Sequence, residues 1–402
     1  MTHQADSSSN RPRRFHGLFS FFLVAFAVPS GWPPVLIYLL IGGMAGGIAW
    51  LWAEQSVMTG NGLLVFLSMA AFFAADRMLL ASLPARGVSF APWTEQFFAL
   101  ALSRAAAALA FGLLVPHIGW PVAFCGNVVL QFLASIALYR GAVVEPRRLE
   151  MTRLVVTCDR LPAGKPPIRI LHLSDPHIER LGLREKQLLA LMEAAAPDFI
   201  LISGDYVNVS NNTDPITHQH VRELLGKLSA PGGVFAVLGS PGVDLHDVIA
   251  PLFEDSGVRL LRDELIELSG PDGQAIRLIG LDCHHDDLAG DVEALDTLLI
   301  NEAGNGPLIL LYHSPELMPS AIERGIDLYL CGHTHGGQVR LPLVGPVVTS
   351  SKLGRRYVMG HYHEGRTHLY ISRGVGFEGM GAPRVRFLCP PEITLITLEP
   401  DR

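Results

Sequence analysis

The sequence has little charge, few cysteines and none of the common nucleotide-binding or serine-hydrolase motifs. Charged residues make up 17% of the 402 positions and hydrophobic residues 49%, a balance that is apolar for a soluble protein. The five cysteines are scattered without CxxC pairing, which excludes a disulfide framework and suits a reducing compartment. Neither a P-loop nor a GxSxG motif occurs, so kinase and serine-hydrolase functions have no sequence basis.

The basic residues do not form the pattern that nucleic-acid binding needs. The net charge is -7, and beyond residue 150 no cluster of Lys and Arg has aromatic residues interleaved with it. We therefore expect no nucleic-acid partner.

The apolar residues are concentrated in the first third of the chain. We predict a membrane region over residues 1–150 and a soluble domain over residues 151–402. A membrane helix needs about 20 apolar residues. Four stretches are long enough: 33–52, 62–83, 97–115 and 118–139. The third contains Arg104, which we expect to pair with Asp76 or Glu95 in neighbouring segments.

The arginines that flank these stretches indicate the orientation. With four spans they all fall on one side, whereas the other two loops contain no Lys or Arg, so the positive-inside rule places the soluble domain in the cytoplasm. The apolar run 15–28 leaves an alternative open, because a fifth span there would move the domain outside. The flanking residues are Arg11, Arg13, Arg14, Arg86, Arg140, Arg147, Arg148 and Arg153.

After residue 150, continuous apolar runs alternate with helical patterns. The runs IRILHLSD, DFILISGD and LILLYHSP read as strands, and GLREKQLLALMEAAA reads as an amphipathic helix between the first two. Apolar strands separated by helices predict an α/β domain whose sheet is buried on both faces.

Metal-binding residue types follow these strands, where open α/β sheets bind their ligands. Each alone has an ordinary explanation, such as a helix N-cap for an aspartate or a packed core position for a histidine. Together, in the order D-x-H, GD, H and GHxH, they predict a dinuclear metal centre in which one carboxylate bridges two ions. The six candidate ligands are Asp175, His177, Asp205, His313, His333 and His335.

This pattern resembles the calcineurin-like metallophosphoesterase superfamily, over residues 168–397, and its bacterial branch with N-terminal membrane segments. The resemblance implies two β-sheets flanked by helices in a four-layer sandwich, and two divalent ions, Mn, Fe, Zn or Co. It assigns Asp175, His177 and His335 to the first ion, Asp205 to a bridge, and His313 and His333 to the second. In that family a metal-bound hydroxide attacks phosphorus in line.

One loop departs from the family's GNH(D/E) motif. Gly239 is kept, but Ser240, Pro241 and Gly242 stand where the family has the asparagine that binds the second ion, the histidine proton donor and the acid that orients it. Occupancy of the second site, with Ser240 in the asparagine position, is therefore in question.

Side chains elsewhere are candidates to replace the proton donor. They are Asp244, His246, His284 and His285. His246 is preferred by its position in the sequence, so the candidate catalytic residues are Asp205, His333 and His246.

The sequence thus predicts a membrane-anchored, metal-dependent phosphoesterase of the bacterial inner membrane. It would hydrolyse a phosphomonoester, phosphodiester or pyrophosphate bond of a small molecule or of a lipid-linked substrate. The alternative is a weakened or inactive member that binds metal or ligand as a sensor or scaffold. A transporter is disfavoured, since it needs more spans and more intramembrane polar residues. The sequence does not indicate the oligomeric state.

Overall fold

The computed structural model describes residues 28–55, 60–300, 304–379 and 382–401. The apolar run 15–28 and the arginines at positions 11, 13 and 14 lie outside the described residues, except for Val28. The question of a fifth span therefore stays a prediction.

The described residues begin with four long apolar helices. They are α1 (Pro34–Glu54), α2 (Asn61–Ser82), α3 (Trp93–Ile118) and α4 (Trp120–Tyr139). Each is long and apolar enough to cross a membrane, which confirms the four predicted helices. Gly119, with φ of 83°, makes the tight turn between α3 and α4 that a residue with a Cβ would resist.

A buried ion pair joins three of these helices. Arg104 on α3 donates from Nε to Asp76 Oδ2 at 2.6 Å and from Nη2 to Asp76 Oδ1 at 2.7 Å. Its Nη1 donates to Gln131 Oε1 on α4 at 3.0 Å. The expected pairing of Arg104 is confirmed, with Asp76 as its partner. An isolated charge at this depth would be costly, so the bidentate pair explains how these residues are tolerated.

The rest of the chain forms two six-stranded sheets. The first has the order β1-β14-β2-β3-β4-β5 and the second β12-β13-β9-β8-β7-β6. The strands are β1 (Glu150–Cys158), β2 (Ile168–Leu173), β3 (Phe199–Ile202), β4 (Val234–Ala236), β5 (Val258–Leu260), β6 (Glu264–Ser269), β7 (Ala275–Gly280), β8 (Leu308–Leu311), β9 (Leu328–Cys331), β12 (Gly360–Glu364), β13 (Thr367–Ile371) and β14 (Glu392–Pro400). A separate hairpin pairs β10 (Arg340–Leu341) with β11 (Gly345–Pro346).

The sheets pack face to face and carry helices on their outer faces. Apolar side chains of both sheets, among them Ile170, Leu201, Leu278 and Leu330, form one buried cluster between them. The helices are α5 (Leu183–Ala195), α6 (Pro215–Leu225), α7 (His246–Ile249), α8 (Leu288–Leu299) and α9 (Met318–Glu323). Helices α5 and α6 cover the first sheet, and α8 and α9 the second. The predicted α/β fold with two flanked sheets is confirmed.

The soluble domain is attached to the membrane helices by more than its chain connection. Helix α4 continues through short helical turns to Arg147, so only two residues separate it from β1. The backbone N–H of Arg386 donates to Gly141 O at 2.9 Å, and that of Arg384 to Gln96 Oε1 at 3.2 Å. The buried Arg384 guanidinium also pairs with Glu179, and the Glu179 carboxylate accepts the backbone N–H of Phe90, in the segment between α2 and α3. These contacts fix one end of the domain against the helices.

Candidate metal centre

The centre lies where the carboxyl ends of strands from both sheets meet. Strands β2 and β3 of the first sheet lead into Asp175 and Asp205, and β8 and β9 of the second lead into His313 and His333. Parallel pairing of β2 with β3, and of β8 with β9, brings these loops to one edge of each sheet. The six predicted ligands are thereby brought together from loops that are far apart in sequence.

The first cluster is formed by Asp175, His177 and His335. Their ligand atoms lie within 4.8 Å of one another, and all three side chains are buried. The two Nε2 atoms are 3.0 Å apart, and His335 Nε2 is 3.6 Å from Asp175 Oδ1. His177 donates from Nδ1 to Val207 O at 3.0 Å, which leaves its Nε2 lone pair facing the cluster. This donor set fits a divalent ion.

The second cluster surrounds the hydroxyl of Ser240. The Nε2 atoms of His313 and His285 each lie 3.0 Å from Ser240 Oγ. His333 Nδ1 and Asp205 Oδ2 each lie 3.4 Å from it. The ligand atoms of the three histidines lie within 4.8 Å of one another. His313 donates from Nδ1 to Ser203 O at 2.7 Å, which turns its Nε2 inward.

Asp205 lies between the two clusters. Its Oδ2 is 3.3 Å from His313 Nε2 and 3.7 Å from His177 Nε2. Burial opposes its charge, but His313 and His177 outweigh this effect and hold the pKa of Asp205 well below its usual range. For His313, burial is likewise outweighed by the Asp205 carboxylate, which raises its pKa to about 10. A carboxylate shared in this way is what a pair of cations requires.

A chain of hydrogen bonds supports Asp175 from the interior of the first sheet. It runs from His172 Nε2 to Ser203 Oγ at 2.9 Å, from Ser203 to Ser174 Oγ at 2.7 Å, and from Ser174 to Asp175. Burial lowers the pKa of His172 to about 3, so its imidazole is neutral. Because every donor in this assignment points toward Asp175, the carboxylate is held as an acceptor and ready to bind a cation.

Comparisons with known proteins agree with this geometry. The model of the calcineurin-like phosphoesterase family matches residues 168–337. The metallophosphoesterase YkuE of Bacillus subtilis is 32% identical over 271 residues, which cover 64% of this chain and 87% of that protein. The chain belongs to the calcineurin-like metallophosphoesterase family. The phosphodiesterase YaeI of Escherichia coli is 32% identical over 58% of this chain and 82% of its own.

The name of one similar protein also describes it as a transmembrane protein. A transmembrane protein with metallophosphoesterase domain from Danio rerio is 26% identical over 68% of this chain and 62% of its own length. Together with the four apolar helices, this similarity supports membrane anchoring of the present metallophosphoesterase.

Asp244 holds the altered loop, residues 239–242, in place by hydrogen bonds. This fully buried carboxylate accepts the backbone N–H groups of Gly239 and Asp205 at 2.8 Å each, and that of Tyr206 at 2.9 Å. A Cβ at Gly239 would lie 2.2 Å from Asp205 N, so the close approach of the two loops requires glycine. Asp244 therefore positions the loops. Burial and the charge of Asp205 raise the pKa of Asp244 to about 7, but both of its oxygens accept backbone N–H groups of these loops, which makes it a poor replacement for the proton donor.

The structure favours a different histidine from the one that sequence position favours. His246, at the start of α7, has its Nδ1 3.4 Å from Arg262 Nη2 and packs beside His284. His284 is bonded through Nδ1 to Asp291 at 2.8 Å. His285 instead lies in the second cluster. The preference for His246, which rested on sequence position, did not predict this. The signal was present, since His285 follows β7 in the same way that the other ligands follow their strands.

Five site residues adopt left-handed backbone conformations that are unusual for residues with a Cβ. Their φ values are 48° for Asp175, 40° for His177, 56° for Asp205, 68° for His333 and 51° for His335. Such conformations cluster where function holds a side chain in a fixed direction.

Proposed function

We propose that this protein is a membrane-anchored, metal-dependent phosphoesterase. The observation that carries the proposal is the position of Asp205 between two clusters of candidate ligands. Asp175, His177 and His335 would hold one divalent ion, and His313 and His333 the other, with Asp205 serving both. Manganese, iron, zinc and cobalt all suit such mixtures of imidazole and carboxylate.

When bound, two such ions supply positive charge to the phosphoryl oxygens and lower the pKa of water. The residues of the chain fix their positions. His333 is partly exposed while His313 is fully buried, so the phosphoryl group would approach from the His333 side.

The leaving group determines which substrates suit this site. Ser240, Pro241 and Gly242 provide no group that donates a proton near neutral pH. Lack of a general acid typically costs about 10²- to 10⁴-fold in rate. A substrate whose leaving group departs as a weakly basic anion would be affected least. Nucleotides and pyrophosphates are examples of such substrates.

A lipid-linked substrate is supported by the hairpin of β10 and β11. Leu341, Leu343, Val344 and Val347 are exposed, and Leu343 is fully so. The backbone of Arg340 bonds to Phe387 O at 2.9 Å, next to Arg386, whose backbone bonds to the end of the membrane helices. Exposed apolar side chains beside Arg340 and Arg355 suit insertion into the interfacial layer of the same bilayer.

The orientation proposed is a cytoplasmic domain at a bacterial inner membrane. Arg86, Arg140, Arg147 and Arg148 lie at the end of the helices that meets the domain, and Arg147 donates to Arg86 O at 2.9 Å. Positive charge at this end supports the cytoplasmic side. A fluorescent-protein fusion at the C-terminus should fluoresce in cells, whereas an alkaline phosphatase fusion there should be inactive; the reverse pair of results would place the domain outside.

The activity is tested with the full chain in lipid nanodiscs. We expect the metal-loaded protein to hydrolyse an aryl phosphodiester and a lipid pyrophosphate, and Asp175→Asn to lose this activity. No hydrolysis of either substrate, or of an aryl phosphomonoester, would contradict the proposal and favour the sensor or scaffold alternative.

The contribution of the altered loop is tested by restoring the family residues. The triple variant Ser240→Asn, Pro241→His and Gly242→Asp should raise the rate with a poor leaving group by about 10²- to 10⁴-fold, because it regains a general acid. The gain with an aryl leaving group should be much smaller. Equal gains with both would mean that the loop acts through metal binding instead.

The lipid proposal is tested by changing the hairpin tip. Leu343→Asp should lower the rate on vesicle-embedded substrate about tenfold, since a buried leucine contributes roughly 1.5–3 kcal/mol. The rate on a water-soluble diester should not change. Ile300→Asp, at an exposed apolar position directly after the last residue of α8, is the matched control. Equal loss with both substrates would contradict membrane insertion of the hairpin.

A further inference from the structure

The second cluster contains one more imidazole than the family motif supplies. His285 comes from the loop after β7, which contributes none of the motif residues. Its Nε2 nevertheless faces the same point as His313 Nε2 and His333 Nδ1.

We propose that His285 is a direct ligand of the second metal ion. It would act together with Asp205, His313 and His333, and would replace the ligand lost when serine came to occupy position 240. This proposal rests on the proposed function, since it presumes that the centre binds two ions.

The contacts of Ser240 exceed what a hydroxyl can use. A serine hydroxyl has one proton to donate and can accept two hydrogen bonds. Four groups, three imidazoles and one carboxylate, converge on Ser240 Oγ within 3.4 Å. Convergence of this many electron-pair donors on one point is explained by a cation that binds beside the hydroxyl.

The surroundings of His285 hold its ring in place. The ring lies against that of His333 with centroids 4.4 Å apart, and its Nδ1 is 3.6 Å from Cys283 Sγ. The ammonium group of Lys352 donates to the carbonyl oxygen of His285. An ordered ring and an anchored backbone are what a ligand position requires.

The added imidazole changes the chemistry of the second position. Three imidazoles and one carboxylate would make a four-ligand set of the composition that zinc and cobalt prefer. The first position has two imidazoles with Asp175 and the shared Asp205, a set with a larger share of oxygen ligands. We therefore infer that the second position prefers zinc-like ions more strongly than the first position does.

The test is metal binding by His285→Ala in the purified full chain. Cobalt(II) should bind to the natural protein at two ions per chain. The variant should bind the second ion more weakly, by more than the roughly 10- to 100-fold that loss of an outer partner costs. The visible absorption of tetrahedral cobalt should fall in parallel. His284→Ala changes the neighbouring imidazole, outside the cluster, and should retain both ions.

A second variant separates loss of a ligand from loss of structure. Ser240→Asn combined with His285→Ala offers an amide oxygen where the imidazole is missing, and should recover the second ion. Retention of both ions and of the cobalt spectrum by His285→Ala would overturn the proposal, and so would equal losses in His284→Ala. Failure of the natural protein to bind any ion would instead contradict the proposed function itself.

Discussion

The two clusters of the centre differ in how they are enclosed and in how closely they follow the family pattern. The first cluster, Asp175, His177 and His335, is fully buried, and all three residues match the motif. The second opens toward solvent through His333, has Ser240 in place of asparagine and includes His285. One half of the candidate centre therefore departs from the family motif, while the other half and Asp205 between them keep it.

Removal of the Asp205 carboxylate should have the largest effect, because this carboxylate contacts both clusters. Asp205→Asn should reduce binding of both ions and lower the rate by more than the about 10²- to 10³-fold that one electrostatic group typically contributes. Metal content and hydrolysis of an aryl diester measure this. Loss of only one ion would show that Asp205 serves one cluster.

A smaller effect confined to the first cluster is expected from Ser203→Ala. This change interrupts the chain from His172 to Asp175, and loss of such an outer partner typically weakens metal binding by roughly 10- to 100-fold. The second cluster should bind almost normally, since His313 bonds to the backbone oxygen of Ser203, which the variant keeps. A cobalt titration that resolves two binding steps measures both, and equal weakening of the two steps would contradict this.

The halves should also respond differently to pH. In the metal-free protein the Asp205 carboxylate outweighs burial and raises the pKa of His313 to about 10, so an ion at the second position must displace a proton at neutral pH. Its apparent affinity should rise about tenfold for each pH unit between 6 and 9. Burial and the charges of neighbouring groups lower the pKa of His335 well below its usual value, so this ligand of the first position needs no such displacement. Equal pH slopes for the two cobalt steps would contradict the assignment.

The smallest effect is expected from Ser240→Ala. If His285 is the ligand that replaces the family's asparagine, the hydroxyl contributes only about the 0.5–1.5 kcal/mol of a hydrogen bond, or less than about a tenfold change in affinity. Calorimetry of zinc binding at the second position measures this. A loss as large as that in His285→Ala would make Ser240 the main ligand.

Much of the fold could be predicted from the sequence, and so could most of the residues that come together in the candidate site. The four membrane helices follow from the lengths of apolar runs, and the six motif ligands follow from apolar strands that end in Asp, Gly or His. These signals are local, because side chains at the end of one strand are fixed by that strand's own pattern.

The strand-end signal marks His285 as a candidate but does not assign it to the second cluster, because that position depends on contacts between distant segments. His285 lies 45 residues from Ser240 and reaches it only because β7 pairs with β8 and the two sheets pack face to face. His246, at the start of α7, is close to Ser240 in sequence, but its Nδ1 faces Arg262. Proximity along the chain therefore did not indicate that His285 contacts Ser240. The position of β14 between β1 and β2 was hidden for the same reason.

The left-handed residues of the centre have a consequence for the stability of the domain. Each costs a residue with a Cβ about 1–2 kcal/mol, so five together approach the roughly 5–15 kcal/mol by which a domain is stable at all. Glycine would relieve this backbone strain, but it would also remove a side chain that contacts its neighbours in the site. A cation held by these side chains would stabilise the folded domain and so offset the strain that the five backbone positions carry.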